Sequence, residues 1–402
     1  MKRHSSWVSL ESRSSPEFPL QIRRLFFSVV LLAVAAAPAS AQVEQSPSQS
    51  AKLSYQPARA ASGLQASNLL NPNISVIGWF QGEAGRRHVD PGVELPPALD
   101  LKEAELGFQS IVDPYARADF FISVNREGVD LEEGYLTWFH LPQDLALKVG
   151  KFRPNFGKFN RTHAPETSFA DQPLVHERFF GAEGLSGAGA DLSWQVPNPW
   201  VLVTLDGEVI NTPTAAESPA FDRARRRDLL YVGHASAYYD LTDAVNVTLG
   251  GSYAYGGAGQ EFNDVTGSSR TLASQLGGID LTFRWKNPRR AIYRSVFWQT
   301  EVVWGRRDAA SGSTVGSVGM FSHLEYQFAR RWRAGARYDY TQLPADRSHD
   351  EQAGLAYLTF TPSEFSLISL QGRQARRFDG TKETLGFLKI TFNIGPHGSH
   401  PF

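Results

Sequence analysis

Residues 274–286 read Ser-Gln-Leu-Gly-Gly-Ile-Asp-Leu-Thr-Phe-Arg-Trp-Lys; after a turn at Asn287-Pro288, residues 296–304 read Val-Phe-Trp-Gln-Thr-Glu-Val-Val-Trp. Side chains alternate sides along a strand. The first arm therefore places Gly277, Ile279, Leu281, Phe283 and Trp285 on one face and Gly278, Asp280, Thr282, Arg284 and Lys286 on the other. The second sets Val296, Trp298, Thr300, Val302 and Trp304 against Phe297, Gln299 and Glu301. A soluble sandwich shares this alternation. Three features point to a membrane. The arms run about 12–15 residues, where soluble strands average roughly 5–6. The polar face carries full charges. Large aromatics sit near both ends of the apolar face, as in the interfacial girdles of outer-membrane barrels.

The rest of the chain fits one large barrel. It has 402 residues, 12% aromatics, 35 glycines and no cysteine. Its mean hydropathy is -0.30. One long apolar run exists, Leu25–Ala37, so helical membrane spans are excluded. That run follows Arg23-Arg24 and precedes Pro38-Ala39-Ser40-Ala41, which is the pattern of a signal peptide over 1–41 cleaved after Ala41. Thirteen apolar residues are too few to cross a bilayer as an anchor helix. Cleavage removes five of the 40 basic and two of the 41 acidic residues, leaving a net charge of -4. Nucleic acid is therefore not an expected partner. The lack of cysteine excludes thiolate chemistry and Cys-based zinc sites.

Residues 42–72 are rich in Ala, Ser, Gln and Pro and read as a periplasmic N-terminal segment, too short for a transporter plug. Sixteen strand-like runs follow over 73–394, the first near 73–81 and the last near 383–394; fourteen or eighteen strands also fit the pattern. Connections alternate between short ones, such as Asp113-Pro114 and Asn287–Arg290, and longer ones, such as Gly82–Ala98 and Gly257–Thr271. Asn125–Gly128 is short where a longer loop is due. Short periplasmic turns and longer outer loops are the signature of an outer-membrane barrel. Sixteen strands enclose an aqueous channel. The expected fold is an all-β, transmembrane antiparallel barrel of about sixteen strands with a long third outer loop. A periplasmic tail, 395–402, ends in Phe402, a residue typical of barrels handed to the outer-membrane assembly machinery.

Several segments resemble a known family. They are Asn71-Pro72-Asn73-Ile74-Ser75-Val76-Ile77-Gly78, Lys148-Val149-Gly150-Lys151-Phe152-Arg153-Pro154-Asn155-Phe156-Gly157, Asp171-Gln172-Pro173-Leu174, Phe180-Gly181-Ala182-Glu183-Gly184-Leu185 and the His-Pro-Phe tail. Together they resemble a family of Gram-negative outer-membrane proteins that is similar to the phosphate-selective porins and is sometimes labelled TonB-receptor-like. The resemblance covers most of the chain after residue 41 and implies a sixteen-stranded porin-like barrel. It implies no particular substrate.

The third long loop, Pro154–Gly187, has 34 residues and carries Lys158, Arg161, His163, Glu166, Asp171, His176, Glu177, Arg178 and Glu183. General porins fold their third outer loop into the barrel, and this loop matches that one in place and length. A mixed-charge pore constriction of Lys158, Arg161, His163, Glu166, Asp171, Glu177 and Arg178 is the expectation, against a solvated cap over the mouth. On the wall, Arg117, Lys148, Arg284, Arg333, Arg337 and Arg373 share the lumen face with Glu103, Glu105, Asp119, Glu301, Asp339 and Lys389. Arg331, Arg333, Arg337 and Arg373 suggest a basic strip that guides anions; the plainer reading is a salt-bridged, hydrated wall. Arg223, Arg225, Arg226 and Arg227 suit the anionic sugars of lipopolysaccharide, or simply a solvated loop. His397 and His400, with His88, His163 or His176 as remote candidates, lack a nearby carboxylate or Cys, so no metal site is expected.

No enzyme constellation, nucleophile elbow or phosphate loop appears, and no cofactor is expected. The expected protein is a porin of the cell outer membrane, monomeric up to homotrimeric. It passes small hydrophilic solutes, anions among them, by passive diffusion. The alternative is a substrate-specific uptake barrel working with a periplasmic or energised partner.

Overall fold

The computed structural model describes residues 72–395 apart from 88–95, 264–267, 289–292 and 310–311. The expected signal peptide, all but the last residue of segment 42–72, His88, and the tail beyond 395 with His397 and His400 lie outside the described residues. Among the described residues the strands are β1 (Asn73–Arg86), β2 (Leu99–Asp113), β3 (Ala116–Asn125), β4 (Gly128–Leu141), β5 (Leu145–Phe152), β6 (Gly187–Val196), β7 (Leu202–Asn211) and β8 (Leu229–Thr242). They continue as β9 (Val245–Asn263), β10 (Ser268–Lys286), β11 (Ser295–Asp308), β12 (Thr314–Ala329), β13 (Trp332–Leu343), β14 (Asp346–Ser363), β15 (Ser366–Arg376) and β16 (Lys382–Ile394). One short helix, α1 (Leu174–Phe180), lies between β5 and β6. No helix among the described residues is long and apolar enough to cross a membrane.

Each strand pairs antiparallel with its sequence neighbours, and β1 closes the barrel on β16 from Val76↔Ile394 to Arg86↔Thr384. Closure leaves no edge of unpaired N–H and C=O groups, which a hydrocarbon solvent would not satisfy. In the β10–β11 hairpin, Ile279 faces Val302 and Asp280 faces Glu301. Ile279 is exposed on the outside, whereas Asp280 and Glu301 are buried inside. The same inversion holds around the wall. Lys389, Asp339 and Glu351 are 0% exposed, while Leu370 and Ile394 are each 61% exposed. A chain in water buries the opposite set. An apolar outer belt with charge turned inward is the arrangement that lipid selects.

Two connections differ from the sequence reading. Within the expected outer loop 257–271, β9 runs on to Asn263 and β10 begins at Ser268, pairing through Gln260↔Thr271 and Glu261↔Arg270. The apolar rhythm ends there, but the backbone ladder needs no apolar face and runs on. Conversely, β11 starts at Ser295, whereas the expected turn at Asn287–Arg290 puts its start at residue 291. The tight β3–β4 hairpin is held by Asn125, whose Oδ1 accepts the N–H groups of Glu127 (2.8 Å) and Gly128 (3.1 Å).

The apolar belt yields a direct test. Leu370→Arg on the outer face of β15 is expected to cost about 2–4 kcal/mol if the residue lies near the bilayer midplane. Reversible denaturant unfolding in lipid vesicles measures it, and a change near zero counts against lipid contact at β15.

Candidate functional site

Residues 153–186 leave β5 and fold into the barrel. Local sequence explains why the segment stays irregular. Pro154, Pro165 and Pro173 interrupt regular hydrogen bonding, leaving two single 3-10 turns and the seven-residue α1. The neck is tied by Asn160, whose Nδ2 donates to the carbonyls of Pro154 and Leu185 at 2.9 Å each, while its Oδ1 accepts the Leu185 N–H at 2.7 Å.

Inward wall residues then take hold of the loop backbone. Glu133 accepts the Arg153 N–H at 2.7 Å, Glu208 that of Asn155 at 2.9 Å and Ser252 that of Gly157 at 2.9 Å. Glu301 accepts the N–H groups of Lys158 (2.9 Å) and Phe159 (2.7 Å) with one oxygen and His176 Nε2 (3.0 Å) with the other. Only glycine suits position 157. Its φ is +65°, and a Cβ there would meet Glu301 Oε2 at 2.5 Å. Across the lumen, Lys389 Nζ donates to the carbonyls of Thr167 and Phe169, both at 2.8 Å, and of Ala164 at 3.2 Å. Gln371 pairs with Ser168 and Ala170. Arg337 donates to the Asp171 carbonyl and carboxylate, both at 3.1 Å, and Arg373 ion-pairs with Asp171 at 3.0 Å. Arg178 makes a two-point pair with Glu351 at 3.0 and 2.9 Å.

A second set of contacts is apolar. Phe156, Phe159, Phe169, Val175, Phe179, Phe180 and Leu185 of the loop form one buried cluster with Leu230, Leu276, Val303 and Phe321 of the inner wall. Phe221, in the connection between β7 and β8, joins the same cluster. That connection also packs on α1, through Ala220 N–H and Ser218 Oγ donating to the Phe179 carbonyl at 3.0 Å each.

The predicted constriction residues divide into two groups. Lys158, Arg161 and Glu166 line a cavity of about 300 Å³ beside the loop, together with His234, Asp280 and Arg284 of the wall. Burial, aided by the nearby Arg284 charge, lowers the Lys158 amine to about 8. The others hold the loop. His163 is buried against Glu105, Glu132 and Glu133. Burial alone would lower its imidazole, but those carboxylates outweigh it and raise its pKa well above the ordinary value. Asp171 is clamped as above. Glu177 lies within 3.7 Å of Arg178 and 3.9 Å of Arg377.

The basic strip needs correction. Arg337 and Arg373 hold Asp171, and Arg331 sits exposed in the β12–β13 turn. Arg333 reaches Glu325 at 3.7 Å. Lys148 pairs with Asp191 at 3.4 Å, and Arg117 bonds Asp119 at 2.9 Å. Of the six wall cations singled out, Arg284 alone lines the cavity, with its guanidinium 5.3 Å from the Phe297 ring centre. Arg223, Arg225, Arg226 and Arg227 are exposed in the β7–β8 connection. Sequence reading missed Glu208, Ser252, Glu351 and Gln371 as loop anchors, and the apolar seat altogether. One signal for the seat was present: Leu276, Val303 and Phe321 are apolar residues on the otherwise polar face of their strands.

Comparison with known proteins places this architecture. No family model matches the chain. A protein of Aquifex aeolicus (strain VF5), described as an "Uncharacterized protein", is 30% identical over 359 residues, covering 82% of this chain and 75% of that protein. The chain belongs to one family with it. Among solved structures, the outer membrane channel DcaP of Acinetobacter baumannii matches with a TM-score of 0.53 at 13% identity, over 81% of this chain and 96% of that one. The trimer form of OmpT, an outer membrane protein of Vibrio cholerae, gives 0.50 at 8%, over 81% and 100%. An anion-selective porin from Comamonas acidovorans gives 0.52 at 10%, over 80% and 98%. At these identities the likeness is one of fold: a closed sixteen-strand antiparallel barrel of the outer-membrane porin type.

Lys389→Met removes the donor shared by three loop carbonyls. Loss of such charge-assisted bonds is expected to cost the loop on the order of 2 kcal/mol. Amide hydrogen exchange is the readout: Ala170 should exchange about thirtyfold faster while strand amides hold. Unchanged exchange at Ala170 would show that the loop is held without Lys389.

Proposed function

We propose that this member of the family is an outer-membrane diffusion channel for small hydrophilic solutes, preferring anions, with loop 153–186 as its constriction. One observation carries the reading: a long loop is anchored inside a closed barrel next to a cavity where Lys158, Arg161 and Arg284 outnumber Glu166 and Asp280. A sixteen-strand barrel is wide enough to need such a filling if its lumen is to discriminate between solutes. Charges at the narrow point then set which ions enter, while charges consumed by anchoring do not. The solute gradient drives transport, and no cofactor takes part. The porin-type fold, the name of DcaP as a channel and the anion selectivity of the Comamonas porin support the class. The trimer form of OmpT supports a homotrimer as the assembly.

Planar-bilayer recording of the purified chain tests this. Open channels are expected, with a reversal potential in a salt gradient that favours anions. Deleting residues 162–180 should raise single-channel conductance. Cation preference in the intact chain would overturn the anion assignment. A closed barrel even after the deletion would favour the alternative, an uptake barrel that needs a partner.

The Lys158 amine adds a pH signature. A lysine lowered to about 8 is charged below that pH and neutral above it. Anion preference should therefore fall as pH rises from 7 to 9. Lys158→Arg, which stays charged, should flatten that fall. A pH-independent reversal potential in the unaltered chain would remove Lys158 from the ion path.

A further inference from the structure

We propose that Glu105, Glu132 and His163 form a site for a divalent metal ion that bolts the loop to the wall. The proposal stands independently of which solute the channel passes.

Geometry assembles the donors. Glu103 and Glu105 are two apart on β2 and so share its inner face. On β4, Glu133 pairs with Phe121 and Leu131 with Ile122, so Glu132 bulges out of register. A bulge re-aims side chains that strict alternation would separate. As a result Glu132 and Glu133, adjacent in sequence, are both buried. The loop delivers His163 from above.

The donor atoms of Glu105, Glu132 and His163 all lie within 4.8 Å of one another. His163 Nδ1 is 2.8 Å from Glu105 Oε2 and 3.1 Å from Glu132 Oε2. Bonds of roughly 2.0–2.2 Å to one ion place neighbouring ligands roughly 3–3.5 Å apart, so small side-chain shifts bring these three donors onto one ion. The other ring nitrogen, Nε2, faces Glu133 Oε2 at 3.7 Å. A carboxylate behind the far nitrogen is how metal-bound imidazoles are oriented.

One further observation points to a ligand. Glu103, on the same face of β2 as Glu105, is 8% exposed and buries an Oε1 that has no hydrogen-bond partner among the described residues. A buried carboxylate oxygen without a partner is costly. One imidazole with carboxylates suits Zn2+, a borderline ion, or Mn2+, a hard one, rather than a soft ion.

Untagged full-length protein, folded in detergent and stripped with EDTA, would be titrated with ZnCl2 and MnCl2 separately. Elemental analysis gives the stoichiometry. A background carrying His397→Ala and His400→Ala removes competition from the tail. The expected result is one Zn2+ or Mn2+ per chain, with affinity at least about tenfold lower in both Glu105→Gln and Glu132→Gln. Heat-modifiable gel migration checks that both variants remain folded barrels. No stoichiometric uptake of either ion, or affinity unchanged in both variants, overturns the site.

Discussion

The constraint on which this structure depends is the absence of a hydrogen-bonding solvent outside the wall. Lipid satisfies neither a free backbone amide nor a charged side chain. Every strand must pair on both sides, which closes the barrel at β1 and β16, and charge within the apolar belt must turn inward. The interior then holds Lys389, Arg337, Arg373, Glu301, Glu351 and Asp339, each a group that is expensive to bury alone. Most of these inward charges are satisfied by the segment 153–186.

That segment is therefore held by two kinds of force at once. Its backbone N–H and C=O groups, which no helix or sheet consumes, become partners for wall carboxylates and cations. Its phenylalanines find an apolar seat on the inner wall, so the hydrophobic core of this protein lies inside the barrel rather than between layers. Directional bonds at Glu301, Lys389 and Arg337 fix where the loop sits, and burial of Phe156, Phe179 and Phe180 holds it there. The same anchoring takes up much of the wall's charge. Few charged groups remain beside the cavity, so the number of basic residues facing inward is a poor guide to the charge exposed there.

The wall was legible because a strand pattern is local. Ile279, Leu281 and Phe283 against Asp280, Thr282 and Arg284 assign both faces without knowledge of any partner strand. Strand ends were less legible at β9 and β10, where pairing continues past the apolar belt, since hydropathy records lipid contact and not the backbone ladder. The loop's position in the chain, length and charge were also plain. The roles of its charges were not. Arg337 and Arg373 have the same sequence signature whether they face a solute or grip Asp171, more than 160 residues away in the chain.

The sequence by itself determined an inverted, closed wall and the long connection within it, because period-two alternation and loop length are properties of neighbouring residues. Only the tertiary structure decided which inward groups are consumed and which stay open to water. Glu105, Glu132 and His163 meet there from three separate segments, through a bulge at Glu132 and the path of the loop. Such a meeting depends on the pairing of β2, β3 and β4 and on where the loop is anchored, and no local pattern of residues encodes it.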